Sequence, residues 1–505
     1  MLFNSLEFIF VFLPITWLVF FLLIRAGHFK LTCGWLTVAS LFFYSWWNPP
    51  YLFLITFSIL INFVLGRLLC TDRSQRGNAM RRGILYLGLA FNLGALGYFK
   101  YANFFVENIN SVFGSTYNFH RIILPLAISF FTFQQIVYIV DAWRGGNRKY
   151  TFPEYSFFVL FFPHLIAGPI VHHHELLPQI ARERWQPVRL ENLQVGLTIF
   201  LIGLFKKMVL ADGSGAYATP LFDLVAKGSV LSTPHAWIAA LAYTFQLYFD
   251  FSGYSDMAIG IARLFGIRLP VNFNSPYRAT SMIEFWRRWH ITLSRFLREY
   301  VYFPLGGNRR GVFLRYSNLL ITMLIGGLWH GAGWTFVAWG AIHGFCLVVN
   351  HLFRSLTQGL FERAPLLQKI FNPVGWVLTM GAVIISWVFF RAKNFPTATS
   401  VLSSMFHANP QKATSLAFDL QQVFSGYYAF GWIALMSLIA LLAPSTQLYL
   451  RNQAPTLDLT PVSDRWWHPA WRPTILNGLF IGALIFLTAR SYFSLTPTEF
   501  IYFNF

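Results

Sequence analysis

This chain is short of charge. Only 11% of its 505 residues are Asp, Glu, Lys or Arg, against 56% hydrophobic, and the mean hydropathy is +0.51. A surface that poor in charge excludes a water-soluble globule of this size. Cysteine is scarce too. Cys33, Cys70 and Cys346 are the three, all in or beside apolar segments and with no CxxC spacing, which excludes a disulfide framework or thiolate zinc site and leaves structural roles. Acidic residues number 19 against 38 basic ones, a net charge of +19. The basic residues sit between apolar runs rather than interleaving with a soluble aromatic platform, so they read as topology signals at a membrane surface and exclude a nucleic-acid partner. No Lys or Arg precedes Arg25, Glu7 is acidic, and no small-residue cleavage site follows the first apolar run. These absences predict a retained first span rather than a secretory signal.

What is present is a series of apolar runs near the length needed to cross about 30 Å of hydrocarbon. They fall at 8–24, 31–47, 51–69, 84–99, 122–143, 193–210, 237–265, 318–353, 374–390, 427–442 and 475–492. They predict an all-α polytopic membrane protein of about 11 transmembrane helices, bathed in membrane lipid. The basic turns at 25–30, 73–82 and 144–149 fall on one side if spans alternate from a periplasmic N-terminus. The same rule puts 444–472 in the cytoplasm and a tail at 494–505, free of Lys and Arg, in the periplasm. Two stretches are irregular: 155–171, with Pro163, Gly168 and Pro169, and the basic, aromatic 263–315. Non-helical backbone at membrane depth needs protein or water to satisfy it, so these predict re-entrant or interfacial elements around a cavity. With no internal repeat, low-complexity segment or linker, the chain reads as a single domain, 1–505.

Polar residues inside apolar runs need a partner or a purpose. Gln246, Asp250, Ser252, Ser255 and Asp256 lie within three helical turns, either as a hydrogen-bonded structural network between helices or as a tunnel lining. Glu284-Phe-Trp286-Arg287-Arg288-Trp289-His290 alternates charge with large aromatics. One reading is an interfacial helix with snorkelling arginines; the other is a docking surface for an anionic donor, with guanidinium forks on phosphates and Trp stacked on a base. Trp329-His330-Gly-Ala-Gly-Trp334 sets a histidine among glycines that leave backbone open to a ligand. A satisfied core residue is one reading of His330. A base that takes a proton from an attacking hydroxyl, as acyl transfer from a thioester requires, is the other. The forty residues from His290 to His330 say nothing by themselves. His172-His173-His174 invites a metal, but three consecutive imidazoles do not readily converge on one ion, so no metal is expected and an interfacial loop is preferred. His343 reads as helix packing.

The chain resembles the membrane-bound O-acyltransferase superfamily, and within it the alginate O-acetyltransferase membrane subunit and its relatives. The strings that carry the resemblance are Leu41-Phe-Phe-Tyr-Ser-Trp-Trp-Asn48, Leu124-Pro-Leu-Ala-Ile-Ser-Phe-Phe-Thr-Phe-Gln134 with Asp141, Phe161-Phe-Pro-His-Leu-Ile-Ala-Gly-Pro169, Gln246 to Asp256, Glu284 to His290, Leu305-Gly-Gly-Asn308-Arg309, and Gly327-Leu-Trp-His330. Their shared order over nearly the whole chain makes the likeness specific. It implies a ring of tilted helices around a funnel and tunnel, with His330 as catalytic histidine and His290 as second polar catalytic position. His290 would then orient the acyl carbonyl or hydrogen-bond the other imidazole. Trp286, Arg287, Arg288, Trp329, Gln246, Asp250, Ser255 and Asp256 become donor-binding or tunnel candidates. Acetyl-CoA is the implied donor substrate, with no permanently bound cofactor, and an esterase-fold (SGNH) periplasmic acetyltransferase is the implied partner toward a polysaccharide. Glu499-Phe-Ile-Tyr502-Phe-Asn-Phe505 resembles a C-terminal motif that a separate small protein carries in teichoic-acid D-alanylation, which makes Tyr502 a candidate acyl acceptor; an aromatic-belt anchor is the other reading. Relatives commonly have an Arg soon after the Ala-Gly-Pro string, where this chain has His172 to His174. D-alanyl or other short-acyl transfer, a transporter or flippase, and a non-catalytic scaffold are the alternatives.

Overall fold

The structure is a computed structural model. It describes all residues except 71–76, 118–121, 146–148, 182–184, 186–188, 310, 408–425, 458–468, 495–498 and 502–505, and the side chains of 365 and 426. Among the described residues, seven helices are long and apolar enough to cross a membrane: Phe8–Arg25, Tyr51–Leu69, Leu190–Ala226, Val312–His330, Trp334–Arg363, Leu366–Arg391 and Ile475–Ser494. A shorter apolar helix, Tyr427–Leu442, and further helices such as Phe29–Ser45 and Ile128–Arg144 join them. The all-helical, multi-pass architecture expected from hydropathy is therefore present. Two runs differ in detail. The stretch from 193 continues through a wide π-helical turn, Lys206–Ala211, into Asp212–Ala226. The long run at 318–353 is two helices, because the chain is extended at Gly331 and Gly333.

By internal packing the chain sorts into two compact units. The first comprises Met1–Leu201, Tyr254–Pro270 and Gln453–Asp458. Its centre is a cluster of Phe3, Phe8, Phe12, Phe43 and Phe162 rings, most of them 5.0–5.8 Å apart. An amide network ties three helices: Ser58 Oγ donates to Gln135 Oε1 at 2.9 Å, and Asn92 Nδ2 donates to Asn62 Oδ1 at 2.6 Å. In an apolar surround such amides hold helices together only when paired. Arg81 donates to the Leu69 and Trp143 carbonyls at two helix C-termini, where a cation is favoured. The irregular stretch at 155–171 is buried throughout, as its Pro and Gly required: the Phe162 amide donates to Ser40 Oγ, and His164 Nδ1 lies 2.8 Å from Gln134 Nε2. His172 and His173 are buried as well, and His173–Leu176 forms a helical turn in place of the interfacial loop.

The second unit comprises Ile202–Gly253, Val271–Asn452 and Leu459–Phe505. Its frame is the antiparallel pair Val312–His330 and Trp334–Arg363, which approach closely because glycine lines the seam. A Cβ on Gly327 would strike the Phe336 carbonyl oxygen, and one on Gly340 the Met323 carbonyl oxygen. Backbones this close are a small-residue contact of the kind that holds membrane helices together. Gly340→Val is therefore expected to destabilise the protein by roughly 1–3 kcal/mol, read as a lower midpoint in thermal unfolding of purified protein. Gly359→Ala, in a helical position with nothing within 4 Å of the added carbon, should leave the midpoint unchanged or raise it, since alanine is the better helix former; an equal lowering would show that the seam is not the constraint.

Candidate functional site

His330 is the last residue of helix Val312–His330. Its position follows from the break at 331–333, where a Cβ on Gly331 would overlap the Phe336 ring. Phe336 in turn packs on Phe390 at 5.1 Å, and Phe390 on the His330 ring at 5.2 Å. Trp329 and Trp339 complete the cage, each with its ring 4.9 Å from the imidazole. His330 is 3% exposed.

His290 is reached by a different local device. It sits between the short helices Met282–Arg288 and Ile291–Leu297 with φ +43° and ψ +54°, a left-handed conformation that stores on the order of 1–3 kcal/mol in a non-glycine residue. Asn272 holds it there from both sides. The Ile291 amide donates to the Asn272 backbone carbonyl at 3.0 Å. The Asn272 side-chain oxygen accepts from Thr292 N at 3.3 Å and Thr292 Oγ1 at 2.9 Å, and lies 3.1 Å from His290 Nδ1. A backbone N–H can only donate, so the amide atom at this junction is the oxygen, and His290 Nδ1 must carry the proton. Nε2 then bears the lone pair. Burial holds this imidazole down to about 3, well below the usual histidine range, so it is neutral near pH 7. Phe251 lies edge-on to it at 4.7 Å. The His290 and His330 ring centroids are 6.5 Å apart, beyond direct hydrogen-bond reach, and Trp329 touches both. The expectation that the two imidazoles bond each other is not met in this arrangement.

The remaining expected residues distribute unevenly. Trp286 is buried edge-on to Trp339 and to His343, so it joins the aromatic wall around His330. His343 packs there too, with Nε2 2.8 Å from Ser386 Oγ. Arg287 is exposed, whereas Arg288 pairs with Glu284 one turn back. Burial alone would raise the Glu284 pKa, but the Thr280 N–H and the Arg288 cation hold its carboxyl below the ordinary range. Gln246 packs on Gly215, where a Cβ would meet its amide. Asp250 is buried in the second unit, paired with Lys207. Ser255 and Asp256 belong to the first unit, so the polar run from Gln246 divides between the two. Tyr502 and most of the tail lie outside the described residues. In the first unit, Asp141, His172 and His174 bring one ligand atom each within 4.8 Å of one another, although the intervening His173 turns its Nε2 to Asp141 at 3.2 Å. Alternate histidines thus converge where three in a row do not. Sequence reasoning missed Asn272, Thr292, Lys207 and Asp212. Lys207 carried a signal, a cation inside an apolar run; Asn272 carried none, since nothing in its neighbourhood of sequence marks it as a partner of His290.

Residues 146–388 match the model of the MBOAT, membrane-bound O-acyltransferase family. The chain is 45% identical over 435 residues to a peptidoglycan O-acetyltransferase of Helicobacter pylori, covering 81% of this chain and 80% of that protein. It is 38% identical over 518 residues to a probable alginate O-acetylase AlgI of Pseudomonas putida, covering the whole of both. A teichoic acid D-alanyltransferase of Streptococcus thermophilus is 32% identical over 234 residues, covering 45% of this chain and 56% of that one.

Loss of the Asn272 oxygen should free the His290 tautomer. Asn272→Leu is expected to cut turnover about 10- to 100-fold, the equivalent of a lost hydrogen bond at a buried group. Asn272→Asp, which keeps the acceptor, should restore most of it. Acyl-donor turnover by purified protein at matched abundance reads both; equal activity of the Leu variant and the parent would remove Asn272 from the site.

Proposed function

Because this chain belongs to the membrane-bound O-acyltransferase family, and is thus a multi-pass membrane acyltransferase, we propose that it moves an acetyl group from cytoplasmic acetyl-CoA across the inner membrane for O-acetylation of an exported polysaccharide or cell-wall glycan. The names of the relatives favour acetyl as the acyl group and an envelope polymer as its destination. The observation that carries the reading is the buried pair His330 and His290, with Trp329 against both rings and the His290 tautomer tied to Asn272. A basic, aromatic element at 284–290 adjoins it in sequence, with exposed Arg287 suited to the phosphates of the donor.

In this mechanism His330 accepts the proton of an attacking hydroxyl as its oxygen bonds the thioester carbonyl carbon. The C–S bond then breaks, and the thiolate of the donor takes up a proton as it leaves. His290, with Nδ1–H committed to Asn272 and a lone pair on Nε2, accepts a hydrogen bond and so orients the attacking hydroxyl rather than the acyl carbonyl. Tyr502 is the proposed first acceptor: a phenol with a pKa of about 10 needs such a base at neutral pH. The acetyl ester on Tyr502 passes to the serine of a periplasmic esterase-fold partner and from there to the polymer. Both chain termini are periplasmic in this scheme, in keeping with the basic turns on the opposite side. The likeness to a D-alanyltransferase over 45% of the chain favours one second reading, in which the acyl group is D-alanyl.

With radiolabelled acetyl-CoA and purified protein, His330→Ala is expected to lower turnover by about 10²- to 10⁴-fold, the contribution of a general base, and to abolish polymer acetylation in cells at normal protein abundance. Retained polymer acetylation in that variant would end the proposal. A preference for D-alanyl thioester in the same assay would select the second reading. Tyr502→Phe should leave the protein in the membrane but the polymer unacetylated; an acetylated polymer would reduce Tyr502 to an anchor.

A further inference from the structure

Three ionisable side chains meet inside the second unit without any part in the histidine chemistry. Lys207 Nζ lies 2.8 Å from Asp212 Oδ1 and 2.9 Å from Asp250 Oδ1, and all three side chains are no more than 6% exposed. The cluster is built by the fold. The π-helical turn Lys206–Ala211 has a five-residue hydrogen-bond repeat, which sets Lys207 and Asp212 on one face. Gly253 lets helix Thr233–Leu264 approach closely enough that a Cβ there would lie 2.8 Å from the Gly203 carbonyl and 3.1 Å from Lys207 N, and one turn earlier this brings Asp250 onto the ammonium. Charges at this depth are expensive, and two carboxylates on one cation leave acceptor capacity to be met.

The chain's own C-terminal segment meets it. The Ile501 amide donates to Asp250 Oδ2 at 3.0 Å, and Lys207 Nζ donates to the Glu499 carbonyl at 3.2 Å. Between them the Phe500 ring is 1% exposed and lies 5.0 Å from the Lys207 ammonium, within cation–π range. The preceding helix Ile475–Ser494 is fixed beside the same turn, since Ser491 Oγ donates to the Met208 carbonyl at 2.7 Å. The grip is thus on backbone at 499 and 501 and on one ring at 500, which defines a register along the segment. Asp250 is next in sequence to Phe251, the residue edge-on to His290 at 4.7 Å.

We propose that Lys207, Asp212 and Asp250 form a clasp that binds residues 499–501 of the chain's own C-terminal segment and so fixes the register of that segment. These are positioning residues. The clasp as a binding site stands on its contacts; its consequence for acyl transfer rests on the reading of Tyr502 as acceptor.

The test uses the full-length protein. Hydrogen exchange followed by mass spectrometry should show a slowly exchanging peptide over 499–501 in the wild type, and exchange there about tenfold faster or more in Asp250→Asn, as expected when a charged acceptor is replaced by a neutral amide oxygen and the ion pair to Lys207 is lost. Exchange in helix Val312–His330 should be unchanged, which separates clasp release from misfolding. On the tail side, Ile501→Pro removes the donating N–H without touching the cluster and should lower polymer acetylation about tenfold or more, while Ile501→Ala should not. Exchanging the order of Ile501 and Tyr502 should also lose acetylation. Equally fast exchange at 499–501 in wild type and Asp250→Asn, or wild-type acetylation by Ile501→Pro, would overturn the clasp. Slow exchange at 499–501 with an acetylated polymer in Tyr502→Phe would instead uphold the clasp and overturn the acceptor reading.

Discussion

The contact between Gly331 and the Phe336 ring is the constraint on which the candidate site depends. The chain leaves its helix immediately after His330 and turns back through an extended 331–333 into the next helix, and Phe336 packs so closely on this turn that only glycine fits at 331. A continuous helix through this run, which its hydropathy alone permits, would carry His330 in mid-helix. Instead the imidazole ends a helix inside a cage of Trp329, Trp339 and Phe390. Phe336 reaches it through Phe390, so the turn and the imidazole share one chain of aromatic contacts.

The second histidine is held by the opposite strategy. His330 has rings around it, whereas His290 has an amide: Asn272 spans the left-handed turn with its backbone and side-chain oxygens, collecting donors from 290, 291 and 292. The backbone strain at His290 is sustained because the surrounding bonds over-determine the turn. The result is a neutral ring with one nitrogen committed and the other carrying its lone pair. Two imidazoles in one aromatic enclosure therefore differ in environment, as expected of groups with different roles.

Buried charge follows a comparable logic. Most Lys and Arg of this basic chain lie between spans, but Lys207 is placed inside one and neutralised by carboxylates from two helices. The same cluster takes hold of the tail at 499–501. Polar groups that insertion energetics would disfavour are concentrated where backbone from elsewhere in the unit completes their bonding.

The sequence by itself determined the environment and the class. A composition short of charge demands lipid, apolar runs of the right length demand spans, and ordered strings around His290 and His330 carry the family likeness; all of this is local, readable residue by residue. It also foretold that 155–171 would be interrupted, since Pro163 and Pro169 lack the N–H that a continuous helix needs. Tertiary structure decided that the run at 318–353 is two helices, with the turn at 331–333 packed against the Phe336 ring. It alone assigned Asn272 to His290, Lys207 to two aspartates and the tail to Lys207, and divided Asp250 from Asp256 between two units. Those pairings join residues that sequence distance does not relate, 18 positions apart for Asn272 and His290 and 251 for Asp250 and Ile501. Hydrophobic pattern fixes which segments are buried, but a hydrogen bond is fixed only once the backbone has brought donor and acceptor within about 3 Å.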